Sequence, residues 1–160
     1  MSLNQRYVCE CNTDNHILNK PLKAMKRKAT AVWKGTGKEG SGVLTTDSGV
    51  LKSTKYTYRS RFEDGKETNP EELVAAAHAG CYVMKLSFIL QEAGFTPDEL
   101  TAECTVSLEG GSIKTSHLDL KAKISGIDNT TFQECAKNAK ENCPISLSLS
   151  GTISLNAELV

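Results

Sequence analysis

The chain has 160 residues, a length typical of one domain built around one hydrophobic core. Its 19 basic and 19 acidic side chains cancel and form no long block of one sign, which argues against binding to nucleic acid or an anionic membrane. No run reaches the roughly 18 uncharged apolar residues of a membrane helix, and the first residues lack a signal peptide's apolar segment. We therefore expect a cytoplasmic protein with a small or neutral ligand.

Residues 1–25 show neither helical nor strand periodicity, and Met25 could be a natural start. We expect 1–25 to be a leader or an added extension, and 26–160 to be the folded domain. The segments KATAVWKG, GVLTTDSGVLK and YTYRSRF have strand character and are separated by turn signals. They predict three antiparallel strands that follow one another in a meander.

A long helix is predicted from about Pro70 to Ala93. Asn69 is a suitable N-cap, Pro70 fits the first helical position, and Glu72 lies where a capping box needs an acidic residue. Gly94 is a typical residue to end the helix.

This helix carries no charged residue between positions 73 and 84. A helix that is apolar on all sides is a buried helix, yet a domain of this size is too small to surround it completely. We therefore predict that a second copy of the chain helps to cover it in a homodimer.

The rest of the chain predicts strands and one more helix. ELTAECTVSLEG and SHLDLKAKISG predict two strands joined by a turn at EGGS, and GTISLNAELV predicts a closing strand. A second helix is expected from about Asn129 to Asn142, ending before Pro144. This order of elements predicts an α+β domain in which helices cover one side of curved, mainly antiparallel sheets.

Two motifs are weak signals of a bound group. GTGKEG, residues 35–40, matches the dinucleotide pattern G-x-G-x-x-G, but a strand pattern follows it and not a helix, which favours a flexible hairpin loop. Cys9, Cys11 and His16 could supply three zinc ligands, but a fourth is missing. We expect neither a cofactor nor a metal.

The cysteines indicate reduced thiols, because they are scattered and form no C-x-x-C pair. A pair that does oxidise is then expected to be transient and catalytic. The six are Cys9, Cys11, Cys81, Cys104, Cys135 and Cys143.

Cys81 has three possible roles. With His78, three residues earlier, it could form a nucleophile and base for acyl transfer, although a core histidine held by hydrogen bonds is the favoured interpretation. It could also pack or act as a sensor in a non-catalytic dimeric module. A reactive thiol needs a group that lowers its pKa, and Arg61 is the candidate. Arg59 is the rival, because it would lie on the same face of the predicted strand.

The segment RFEDGKETNPEELVAAAHAGCYVMKLS, followed downstream by ENCPIS, resembles the OsmC family of osmotically inducible, thiol-dependent organic hydroperoxide peroxidases. GSGVLTTDSGVL and LQEAGFTP extend the resemblance, which runs from about Lys26 to the C-terminus. It is closer to the OsmC branch than to the organic hydroperoxide resistance branch.

The resemblance implies that Cys81 is the peroxidatic cysteine and Cys143 the resolving one, with Arg61 and Glu71 positioning the thiolate. It also implies two sheets around a long central buried helix, in an intertwined homodimer with its active sites at the interface. The substrate would be an organic hydroperoxide in oxidative or osmotic stress. The reductant would be a dithiol, such as a lipoylated protein.

Helix geometry limits how these four residues meet. Ten residues of straight helix rise about 15 Å, so Glu71 and Cys81 cannot both touch one guanidinium. Either the helix breaks or two chains share the site. We favour sharing, with Cys81 and Cys143 from one subunit, and a bidentate pair of Arg61 and Glu71 from the other.

Overall fold

The computed structural model describes residues 24–160. Residues 1–23 hold most of the predicted leader and the three zinc-ligand candidates Cys9, Cys11 and His16, so these hypotheses lie outside the described residues. The division into a leader and a domain over 26–160 stays a prediction.

The first sheet is the predicted antiparallel meander of β1 (Ala29–Lys34), β2 (Ser41–Thr46) and β3 (Thr54–Thr57). Residues 35–40 form the loop between β1 and β2, so the glycine-rich motif is a hairpin connection, as predicted. Gly42 of β2 lies against the rings of Trp33 and Tyr56, where any side chain would collide with them.

The third strand prediction is wrong in its second half. YTYRSRF leaves the sheet after Thr57 and continues as helix α1 (Tyr58–Phe62). The Thr57 hydroxyl accepts the backbone N–H of Ser60 at 3.1 Å, and the Ser60 hydroxyl accepts that of Thr57 at 3.0 Å. This reciprocal cap stabilises a helical turn that the alternating pattern does not reveal. Residues two apart then point in different directions, unlike on a strand.

The long helix α2 (Pro70–Glu92) is confirmed within one residue of its predicted end. The Asn69 side chain accepts the backbone N–H of Glu72 at 2.8 Å. The predicted capping box does not close, because the Glu72 carboxylate accepts the Thr68 hydroxyl at 3.0 Å instead. Gly94 has a φ of 87° and ends the helix, as predicted.

The second sheet has the order β4 (Pro97–Glu109), β5 (Ser112–Ile124), β6 (Thr152–Leu159). The first pair is antiparallel, and the predicted turn contains Gly110 and Gly111, both with positive φ. The second pair is parallel, because helices fill the connection between its strands.

Two helices form that connection. α3 (Asn129–Asn142) has the predicted bounds. The short α4 (Pro144–Ser148) was not predicted, and it begins with proline at the first helical position, where the missing N–H is harmless. Cys143 is the residue between the two helices.

The core lies between α2, α3 and the second sheet. α2 buries one face, and alternate residues of β5 and one face of α3 pack against it. The buried residues of α2 are His78, Tyr82, Leu86, Ile89 and Leu90. On the other side of α2, Met84 and Phe88 are 62% and 56% exposed. The predicted α+β fold with two mainly antiparallel sheets is confirmed.

By length and composition α2 could also cross a membrane, a possibility that the sequence analysis missed. Its packing against β4, α3 and α4 identifies it as the central helix of the domain.

Candidate active site

Arg61 and Glu71 form a short, forked ion pair within one chain. Arg61 Nη2 donates to Glu71 Oε1 at 2.6 Å, and Nε lies 3.0 and 3.1 Å from the two carboxylate oxygens. The glutamate side chain is only 15% exposed. Its hydrogen bonds raise the pKa of Arg61, so the guanidinium remains charged.

Hydrogen bonds between α1 and the start of α2 explain this placement. Asn69 Nδ2 donates to the Ser60 carbonyl at 2.9 Å, and the Ser60 hydroxyl lies 3.0 Å from the Thr68 carbonyl. The buried Ser60 therefore ties the helix that carries Arg61 to the cap of the helix that carries Glu71.

The rival Arg59 has a different environment. It pairs with Glu63, just after the end of α1, at 3.4 Å, and both side chains are exposed. It also lines a cleft of about 530 Å³ together with Lys55, Lys66 and other mostly polar residues, and neither Cys81 nor Cys143 lines that cleft. The expectation that Arg59 and Arg61 share a strand face is wrong, because both lie on α1.

The fold brings Cys81 and Cys143 into contact although they are distant in sequence. Both are thiols; Cys81 is partly exposed in the middle of α2, and Cys143 is fully buried before α4. The Cys81 sulfur lies next to the Cys143 side chain and near the backbone N–H of Ile145, both of which affect its pKa. These two thiols are therefore neighbours in the fold.

The described residues of the same chain do not activate Cys81. Burial raises the pKa of its thiol, and the contact with Cys143 raises it further, while the Ile145 N–H lowers it in part. Among residues 24–160, no arginine contributes to this balance. A reactive thiolate at Cys81 therefore requires a cation that residues 24–160 of its own chain do not supply in this arrangement.

The unbroken helix α2 explains why Arg61 does not act on Cys81 of its own chain. Glu71 lies in its first turn and Cys81 ten residues further, a rise of about 15 Å. Arg61, bound to Glu71, is therefore held away from the thiols of its own chain. The sequence left two possibilities, a break in the helix or a site shared by two chains. Because α2 is continuous from Glu71 to Cys81, a break is excluded.

His78 is the fully buried, hydrogen-bonded core residue that the sequence favoured. Its Nδ1 lies 2.7 Å from the Ser116 hydroxyl, and its Nε2 lies 2.8 Å from that of Ser146. Burial lowers the pKa of His78, so the ring is neutral. Both nitrogens are engaged by serines and not by Cys81, so the geometry does not support a Cys-His acyl-transfer pair.

Sequence reasoning missed the two serines. The sequence could have identified Ser116 as a buried residue, because the alternation along β5 places it on the same face as the buried Leu118 and Leu120. No pattern in the sequence indicated that Ser146 is buried, because α4 was not predicted. Within the described part of the chain, no group of three or more histidine, cysteine or acidic residues could hold a metal ion.

Comparisons with known proteins place this geometry in a family. The sequence profile of the OsmC-like protein family matches residues 63–158. Peroxiredoxin OsmC of Escherichia coli K12 is 42% identical over 137 residues, covering 83% of this chain and 96% of the relative. Organic hydroperoxide resistance protein OhrB of Bacillus subtilis is 30% identical over 123 residues, covering 74% and 89%.

The fold agrees with these matches. The crystal structure of an OsmC-like protein from Mycoplasma pneumoniae superposes with a TM-score of 0.68 at 18% identity, covering 86% of this chain and 99% of that one. The identities are higher toward the OsmC relative than toward the Ohr relative. The chain belongs to the OsmC family, on the OsmC side of the OsmC/Ohr superfamily.

Proposed function

We propose that the protein is a cysteine-based peroxidase that reduces organic hydroperoxides to alcohols in the cytoplasm, in defence against oxidative or osmotic stress. The observation that carries this proposal is the contact between the Cys81 and Cys143 thiols. The names of the relatives, a peroxiredoxin and an organic hydroperoxide resistance protein, support the same reaction.

The first step oxidises Cys81. Its thiolate attacks the distal oxygen of R–O–O–H, and the O–O bond breaks. The sulfur retains the hydroxyl as a sulfenic acid, while the alkoxide leaves and takes a proton to become the alcohol. Arg61 would stabilise the thiolate and the developing negative charge.

The second step uses Cys143. Its sulfur attacks the Cys81 sulfenic acid, a disulfide forms, and hydroxide leaves with the Cys143 proton as water. An external dithiol, such as a lipoylated protein, then reopens the disulfide by two thiol exchanges and is itself oxidised. This cycle uses no resident cofactor.

The exposed apolar surface of the helices that carry or follow the proposed site residues favours an apolar substrate. Phe62, Met84, Phe88 and Leu147 are large apolar side chains that are each more than half exposed on α1, α2 and α4. In an assembled site they would form a wall against which an alkyl chain packs. Alkyl or fatty-acid hydroperoxides are therefore favoured over hydrogen peroxide.

We further propose an intertwined homodimer whose sites each combine two chains. One protomer supplies Cys81 and Cys143, and its partner supplies Arg61 held by Glu71. The exposed apolar face of α2 supports this arrangement. So does the absence, in the described residues, of an arginine acting on Cys81.

Mass spectrometry after one equivalent of cumene hydroperoxide tests the reaction. The expected product is a Cys81–Cys143 disulfide, whereas a Cys143→Ser variant should stop at a sulfenic acid that dimedone traps. Cys104→Ser is the matched control, and it should form the same disulfide as the unmodified sequence. Thiols that remain unoxidised would contradict both the peroxidase and its mechanism, and would favour a module whose cysteines only pack.

A further inference from the structure

Three elements meet at the buried imidazole of His78. The ring projects from α2, one turn before Cys81, and contacts Ser116 of β5 on one side and Ser146 of α4 on the other. Cys104 of β4 completes the cluster, with its sulfur 3.2 Å from the Ser116 hydroxyl and 3.8 Å from His78 Nδ1. None of these side chains has a role in the reaction proposed above.

The contact with Ser146 matters because of where α4 lies. Its neighbour Ile145 has the N–H that lies near the Cys81 sulfur and lowers its pKa, and Cys143 is three residues before Ser146. The backbone bonds from Leu147 N–H to Cys143 and from Leu149 N–H to Ile145 stay inside this short segment. They maintain its shape but do not fix it against α2.

Two polar contacts in the described residues join α2 to α4. One brings the Ile145 N–H close to the Cys81 sulfur, and the other is the His78–Ser146 hydrogen bond. The first depends on the reacting atom, which becomes a sulfenic acid during turnover. The second does not involve the reacting atom, so it can persist when the sulfur is oxidised.

We propose that His78 is a positioning residue that, through Ser146, holds α4 so that the Ile145 N–H and the Cys143 sulfur both face Cys81 during turnover. This inference rests on the proposed peroxidase function. The residue acts on the approach of the resolving cysteine and on the thiolate of Cys81, and it touches neither substrate nor the reacting sulfur.

The chemistry of the cluster suits this role. A neutral imidazole has one N–H donor and one acceptor nitrogen, and a serine hydroxyl can complement either. Burial lowers the pKa of His78, which keeps the ring in this form. The ring is fully buried and projects from α2, so its bond to Ser146 can transmit the position of that helix to α4.

Two serine variants test the proposal, because each removes one hydroxyl from one side of the same ring. Ser146→Ala breaks the link to α4, and Ser116→Ala, the matched control, breaks the link to β5. Both should lower the thermal unfolding midpoint by similar amounts. Serine to alanine changes the volume little, so both variants should fold, whereas truncation of the fully buried His78 would leave a cavity in the core.

The readouts are the rate of Cys81–Cys143 disulfide formation after one equivalent of cumene hydroperoxide and the pH profile of Cys81 alkylation. Ser146→Ala should slow disulfide formation about tenfold, the scale of one buried hydrogen bond, and should let dimedone trap the sulfenic acid. Its alkylation midpoint should move to higher pH, because the Ile145 N–H is no longer held in place. Ser116→Ala should stay within about twofold of the unmodified rate.

Equal slowing by both variants would overturn the proposal, since it would indicate a loss of general packing. Unchanged kinetics and an unchanged pH profile in Ser146→Ala would overturn it as well. Failure of the proposed function gives a different result, because the unmodified protein would then form no Cys81–Cys143 disulfide at all.

Discussion

The two ends of the chain differ in how much of their apolar surface their own fold buries. From Pro70 onward, α2, α3, α4 and the second sheet enclose one continuous core. In the part of the chain that the structure describes before Pro70, the first sheet and α1 do not pack extensively on that core. Val32 and Phe62 there are 46% and 52% exposed. The second region is stabilised within one chain, whereas the first lacks a covering surface.

The same division separates the chemistry. The arginine lies on α1 in the first region, paired with the first turn of α2, and the two thiols lie in the middle of the second region. In the proposed reaction, each region thus carries a part of the site that needs the other. A second copy of the chain would cover the apolar surfaces and bring the parts together in one step.

The largest effect should come from placing a charge on the exposed face of α2. Phe88→Glu puts a carboxylate where we expect the partner chain to pack, and burying an unpaired charge is strongly unfavourable. Sedimentation at micromolar concentration should show a dimer for the unmodified protein and a monomer for the variant, with loss of peroxidase activity. Lys137→Glu, on the exposed side of α3, is the control and should leave the dimer intact. A dimer in Phe88→Glu would place the interface elsewhere.

A truncation in the core should have the next largest effect. Leu86 is fully buried between α2 and its neighbours, and Leu86→Ala should lower the free energy of unfolding by about 2–5 kcal/mol. Val50→Ala, at a side chain that is 79% exposed, should stay within about 0.5 kcal/mol. Chemical denaturation measures both. Equal losses would mean that Val50 is buried in solution by a surface of a partner chain.

The smallest effect concerns pH. Burial lowers the pKa of His78 in the folded state, so the unfolded chain binds a proton first as the pH falls through about 6.5. Stability should therefore be greatest above that pH and decrease below it, by at most about 1.4 kcal/mol per pH unit from this residue. Denaturation at pH 7.5 and 5.5 should show the decrease, and His78→Gln should show less of it. If the stability of both proteins decreases equally as the pH falls, groups other than His78 cause the decrease.

Much of the fold could be predicted because strong local signals agree with it. The proline and asparagine at the start of α2, the glycine after it, and the alternation along β5 each act over a few residues. The predictions failed at two short helices, where the pattern of apolar residues does not indicate the structure. Tyr58–Phe62 alternates like a strand, but the hydroxyls of Thr57 and Ser60 cap a helix there. The α4 turn after Cys143 is too short to show any helical period.

The site was predictable to a different extent. Cys81 and Arg61 stood out as a thiol and the cation that could lower its pKa, and the resemblance added Glu71 and Cys143, while helix geometry alone separated Glu71 from Cys81. Which groups surround His78 depends on long-range packing that brings β5 and α4 to the same ring. No spacing within the sequence carries that information.

Mixing two inactive variants tests the shared site most directly. Cys81→Ser and Arg61→Ala chains are unfolded together and refolded as an equal mixture, and peroxidase activity with cumene hydroperoxide is measured. If the site joins Cys81 of one chain to Arg61 of the other, each mixed dimer contains one intact site, and activity should rise well above that of either variant. Activity no higher than the average of the two separate variants would contradict the shared arrangement.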